Sequence, residues 1–209
     1  MPPGRQSPGE RALRDGQQSY RRPRRVLGTA RCGKKSVVSC EIRDAFLRQF
    51  DIAWALTEYH LNGLDSEECL WRPADKGLHV HLRDGVWVAD WPEQEGYEIG
   101  PSSIAWITWH MVFWWSSVID HSFGSAKLTR EDVPWPGSAE AVRARIVELH
   151  ADWRRRIELF DDNELRSAQR TRWPFQDKPF VDVVSWLNVE LTKNAAELGY
   201  VRFLYGARS

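Results

Sequence analysis

Cysteine, glycine-rich loops and long hydrophobic runs are scarce in this chain, and each shortage closes a class of function. Of 209 residues only three are cysteine, Cys32, Cys40 and Cys69. They are too few and too scattered for a disulfide framework or a zinc ribbon, and a reducing, cytoplasmic setting is expected. No phosphate-cradling glycine loop or dinucleotide fingerprint occurs. No G-x-S-x-G places a serine nucleophile on a strand-to-helix elbow. A membrane span needs about 20 predominantly apolar residues. The most apolar stretch, Ile104 to Ile119, is shorter and is interrupted by Thr108, His110, Ser116 and Ser117. It reads as a helix buried in protein. The first 40 residues also lack the apolar run of a secretory signal, so none is expected.

An excess of one charge is missing too, but only in the sum of 29 basic and 29 acidic residues. Residues 1–40 carry a net +8 and the remainder −8. The acidic body argues against a nucleic-acid interface, which needs clustered cations to displace phosphate counterions. The basic segment holds four prolines and no Trp or Phe. Such a composition buries too little apolar surface to offset the entropy of ordering it, so residues 1–40 are expected to be a disordered tail. All 12 tryptophans lie between Trp54 and Trp186, which puts the folded domain at 41–209.

What is present is helical periodicity. About Ile42–Leu61, residues Phe46, Phe50, Ala53, Thr57, His60 and Leu64 recur at steps of three and four, with Ile52, Leu56 and Tyr59 beside them. Asp65 caps a short turn, and Asp84-Gly85 between β-favouring residues predicts a small hairpin. Ser103 opens a second helix, apolar on nearly every side, that runs to about His121. A third spans Ser138–Phe160, its stripe formed by Val142, Ile146, Leu149, Trp153, Ile157 and Phe160. The fourth covers about Phe180–Tyr205, with Val184, Leu187, Leu191, Asn194, Leu198, Val201 and Tyr205 inward. Four such segments predict an all-α, antiparallel four-helix bundle, with a long crossover link carrying the hairpin.

The informative residues are polar ones on inward rows. Asn194 occupies a core position where Leu would pack without a hydrogen bond, and Glu190 precedes it by one turn on the same face. On the second helix His110 sits between Trp106 and Phe113-Trp114. A bundle can bring a histidine, a carboxylate and an amide together, and a buried carboxylate is costly unless paired or metal-bound. Two plainer readings stand beside this one: a structural network of Glu190, His110 and Asn194, or a Glu190–Lys193 pair on the helix surface. Weaker metal candidates are His79 and His81 on one strand face. Cys69, beside Glu67 and Glu68, is expected to be an unreactive thiol. Tryptophans at helical spacing read as core, with Trp87, Trp91, Trp135 and Trp173 as loop exceptions.

Three segments in order carry a resemblance: Leu64-x-x-Glu67-x-x-Leu70-Trp71-Arg72-Pro73-Ala74; Ser103-Ile104-Ala105-Trp106-x-x-Trp109-His110-Met111-x-x-Trp114; and Trp186 through Glu190, Asn194, Glu197, Gly199 and Arg202 to Tyr205. Over roughly Ile42–Tyr205 the chain resembles the DinB-like superfamily. The resemblance implies a four-helix bundle, often dimeric, in which many members hold a divalent metal with three histidines. His110 matches the histidine of the second helix. Glu190 and Asn194 fall where the family has its other two. A His/Glu/Asn set is harder than an imidazole set and closer to what Mn or Mg accepts than Zn or Ni. Family activities imply a thiol-dependent transferase or a metal-dependent hydrolase acting on a small molecule, with a low-molecular-weight thiol or a divalent metal as cofactor. In that reading Glu190 is general base or ligand, His110 a ligand or proton carrier, and Asn194 an orienting amide. The alternative is a non-enzymatic binding or stress-associated homodimer that lost its metal with the two histidines.

Overall fold

The computed structural model describes residues 39–94 and 96–208. Apart from Ser39 and Cys40, the basic segment expected to be disordered lies outside the described residues. The chain is mostly helical, with one two-stranded antiparallel sheet. In order come α1 (Glu41–Leu61), α2 (Ser66–Leu70), β1 (Val80–Arg83), β2 (Val86–Ala89), α3 (Ile104–Phe123), α4 (Ala139–Glu158), α5 (Asp162–Arg166) and α6 (Phe180–Gly206). None of the described helices is long and apolar enough to cross a membrane.

Local chemistry explains most boundaries. Ser103 and Ser138 accept from the amides of Trp106 (3.3 Å) and Ala141 (3.1 Å), and Asp65 accepts from Glu68 (2.8 Å). Each thereby satisfies a donor left open at a helix start. Asp84 and Gly85 both have positive φ, 50° and 80°, the twist a two-residue hairpin turn requires. They set the register His81↔Val88 and Leu82↔Trp87. Helix α1 is started differently. Cys40 provides no side-chain cap; instead Asp162, from far along the chain, accepts from the amides of Ile42 (3.1 Å) and Arg43 (3.2 Å) and from the Ser39 hydroxyl (2.6 Å). Asp162 sits in α5, a one-turn helix with an Asp161–Glu164 capping box that periodicity alone does not reveal.

Side-chain partners fix the helix directions. Phe46 and Gln49 meet Asn188, and His60 meets Arg202, so α1 and α6 run the same way. Ser116 meets Arg145 and Phe123 meets Trp153, so α3 and α4 also run together. Trp114–Asn194 with Phe123–Phe180 makes α3 and α6 opposed. Arg43–Glu158 with Trp54–His150 does the same for α1 and α4. Strictly alternating directions, expected from the sequence, therefore hold for two neighbouring pairs and fail for two. The cause is the stretch 124–138, which doubles back along α3. Trp109 Nε1 donates to the Val133 carbonyl (2.6 Å), and Trp135 Nε1 to Thr108 Oγ1 (3.2 Å). Trp135, a loop exception in the sequence, is thereby a core residue.

The core follows the expected stripes of α4 and α6 and nearly every face of α3. Helix α1 buries the middle of its expected row and leaves the apolar residues beside that row in water. It buries Phe50, Ala53, Thr57 and Leu61, while Ile52 and Tyr59 are each 74% exposed. Its sequence carries two apolar rows at helical spacing, and only one faces α4 and α6.

Candidate functional site

The opposed packing of α3 on α6 brings His110 and Asn194 together. Asn194 is fully buried and fully used: its Oδ1 accepts from Trp114 Nε1 (2.9 Å), and its Nδ2 donates to Glu197 Oε2 (3.0 Å). His110 lies one turn earlier on α3, its ring stacked on Trp106 at 4.9 Å and 9°. Burial pushes the imidazole down to about 4, the Lys193 ammonium adds to this, and a side-chain hydrogen bond with Asn194 opposes it. At neutral pH His110 is therefore uncharged. Its Nδ1 is buried and has no hydrogen-bond partner.

Glu190 is paired within its own helix. Its Oε2 lies 2.7 Å from Lys193 Nζ, the ion-pair arrangement that stood as one of the plainer readings of this patch. The pair is one turn apart on one helix and its lysine is exposed, so it adds little to stability. Among the described residues no group of three or more His, Cys, Asp or Glu side chains is arranged to hold a metal. The donor set agrees with that. Asn194 Oδ1 is committed to an indole N–H and Glu190 to an ammonium, which leaves one imidazole. The residues present do not fit the divalent metal that the resemblance implied.

Three constellations escape sequence reasoning. Arg202 of α6 donates two hydrogen bonds to the buried Glu68 carboxylate (2.8 and 3.2 Å) and donates to the carbonyls of His60 and Asn62 at the end of α1 (2.8 Å each). This joins α1, α2 and α6 through one guanidinium. His60 itself, expected on the inward row, is half-buried against α6, its ring over Gly199. In the hairpin region His81 Nε2 lies 2.9 Å from both oxygens of Asp90, whose Oδ2 also accepts from the His79 amide (2.9 Å). The Asp90 carbonyl accepts from Trp106 Nε1 (2.8 Å), so hairpin and α3 are tied beside His110. The His79 ring is buried, and burial lowers its pKa against the opposing effect of a hydrogen bond with the Ala74 backbone. The Arg202 and His60 contacts join residues far apart in sequence, so no local periodicity signals them, whereas the Asp90 contacts with His79 and His81 follow from the hairpin register. Cys69 matches its expectation: burial and the Glu68 and Asp65 carboxylates push its thiol up to about 12, which keeps it protonated.

Compared with known proteins, the chain matches the family model of the DinB superfamily over residues 49–198. No curated protein and no solved structure matches it.

Proposed function

The chain belongs to the DinB superfamily, and on that premise we propose that it is a non-enzymatic, metal-free member, a cytoplasmic small-molecule-binding protein that self-associates. We read its four long helices as the family's bundle, with the polar pair His110–Asn194 occupying the place of the metal centre. One observation carries this reading: the residues standing where ligands are expected are already satisfied by protein partners, Asn194 by Trp114 and Glu190 by Lys193. General acid–base catalysis is most efficient when the group titrates near the working pH. An imidazole pushed down to about 4 is a weak base there. The outer row of α1, with Ile52 and Tyr59, and Phe203 of α6 supports self-association through that face.

The reading is tested by thermal-shift titration of untagged protein with Mn, Ni, Zn and Mg, together with elemental analysis. No stoichiometric metal and no rise in melting temperature are expected. A stoichiometric ion whose binding is abolished by His110→Ala would overturn it.

A second reading, a thiol-dependent transferase or metal-dependent hydrolase using His110, Glu190 and Asn194, is favoured by one feature. The buried, unpartnered Nδ1 of His110 is an open polar atom of the kind a substrate would engage. Turnover in a screen of thiol-transfer and hydrolysis substrates, lost in His110→Ala, would establish it.

A further inference from the structure

A cavity lined by Trp109 of α3 does not include His110. We propose that the cleft between the β1–β2 hairpin and residues 130–134 is a binding site for an organic anion, a carboxylate carried on an apolar or aromatic body. The cleft has a volume of about 400 Å³, and His81, Arg83, Trp87, Asp90, Trp91 and Arg130 are among the residues lining it. That size falls within the range of small-molecule pockets. It is independent of the reading of His110: Trp109 faces the cleft, while His110, the next residue, is turned about 100° round the helix.

The walls are held in place before any ligand arrives. The Trp135 amide donates to the Trp87 carbonyl (3.1 Å), and Trp109 Nε1 holds Val133. Trp91 packs edge-on against Trp109 and Phe113. Preorganisation of this kind removes an ordering cost from binding.

The one uncommitted charge favours an anion. Both carboxylates of the cleft are engaged: Asp90 with His81 and the His79 amide, Glu131 with Arg130 (2.8 Å). Of the cations, Arg130 is shared with Glu131 and Arg83 is open. Arg83 has no ion-pair partner among the described residues and stands exposed at the end of β1. The Arg130 guanidinium lies 5.2 Å over the Trp91 ring, so an aromatic face and a fork of N–H donors occupy one corner. The rest is apolar surface open to water: Trp91 is 48% exposed, and Val86 and Val88 also line the cleft. Covering it releases about 25 cal/mol per Å². A ligand with one carboxylate for the arginines and an apolar body for the tryptophan and valines uses every open group.

The test is calorimetric titration of the full chain with 2-naphthoate, 2-naphthalenemethanol and 2-naphthylmethylamine. Naphthoate is expected to bind, and the alcohol and the amine about tenfold more weakly or worse. Arg83→Ala should weaken naphthoate by about tenfold at unchanged melting temperature, because the residue is exposed, and Trp91→Ala should weaken it by about as much. His110→Ala should leave naphthoate affinity unchanged, which separates this site from the one proposed above. Absence of naphthoate binding at millimolar concentration, equal binding of the amine, or indifference to Arg83→Ala would each overturn the proposal.

Discussion

At the scale of single residues, some polar groups inside this core, His110 Nδ1 among them, have no partner, while others are committed to one another. Asn194 shows what that is worth. Removing it in Asn194→Ala strands the Trp114 indole N–H in the core, and a loss of about 1–3 kcal/mol in urea unfolding is expected. Trp114→Phe removes the other partner, so the double variant should cost less than the sum of the two; strict additivity would deny the bond. The buried imidazoles set a pH dependence. His110 and His150 are each pushed down to about 4, chiefly by burial, with Lys193 and Arg154 respectively adding to it. In the unfolded chain both titrate near the ordinary 6.5. Between those values the unfolded state binds more protons, so stability falls as pH drops through this window and levels off below it. Melting temperatures measured from pH 7 to 4 should decline, and His150→Phe, which keeps the stack on Trp54 and Phe50, should flatten the decline. A flat wild-type curve would contradict the assignment. Much of this was legible in the sequence, because Asn194 and His110 interrupt apolar rows. The direction of Glu190 was not: at one turn's spacing it could equally meet a partner helix or its own Lys193, and only packing decides.

Among elements, the parallel contact of α1 on α6 places the His60 ring directly over Gly199. A Cβ added there would stand 2.5 Å from His60 Cε1. Gly199→Ala is therefore expected to lower the melting temperature in the wild-type background. In a His60→Ala background it should be neutral or stabilising, because Ala is the better helix former by about 1 kcal/mol. Equal effects in both backgrounds would mean that the ring does not set the spacing. The four long helices and the hairpin were readable, as were the caps at Ser103 and Asp65 and the turn at Asp84-Gly85, which act within a few residues of themselves. Direction was not readable. It depends on segment 124–138 folding back along α3, a choice made by Trp109 and Trp135 finding partners across a link rich in turn residues.

For the whole molecule, the row Ile52, Leu56 and Tyr59 on α1, with Phe203 on α6, leaves apolar surface in water. Sedimentation at micromolar concentration is expected to show a reversible dimer, and Ile52→Glu combined with Tyr59→Glu to give a monomer with an unchanged helical spectrum. A monomeric wild type would remove this face from consideration. The cap on α1 reaches further still. Because Asp162 closes the amino end of a helix that begins at Glu41, a nascent chain emerging from the ribosome presents that helix long before its stopper has been translated. Until then the leading turn has only water for its amide protons, and α4 and α6, the surfaces that shelter it, are also still to come. Synthesis of this protein thus leaves the first of its described elements waiting for its last third, and a translational pause placed before codon 162 would lengthen the interval in which a chaperone can hold it.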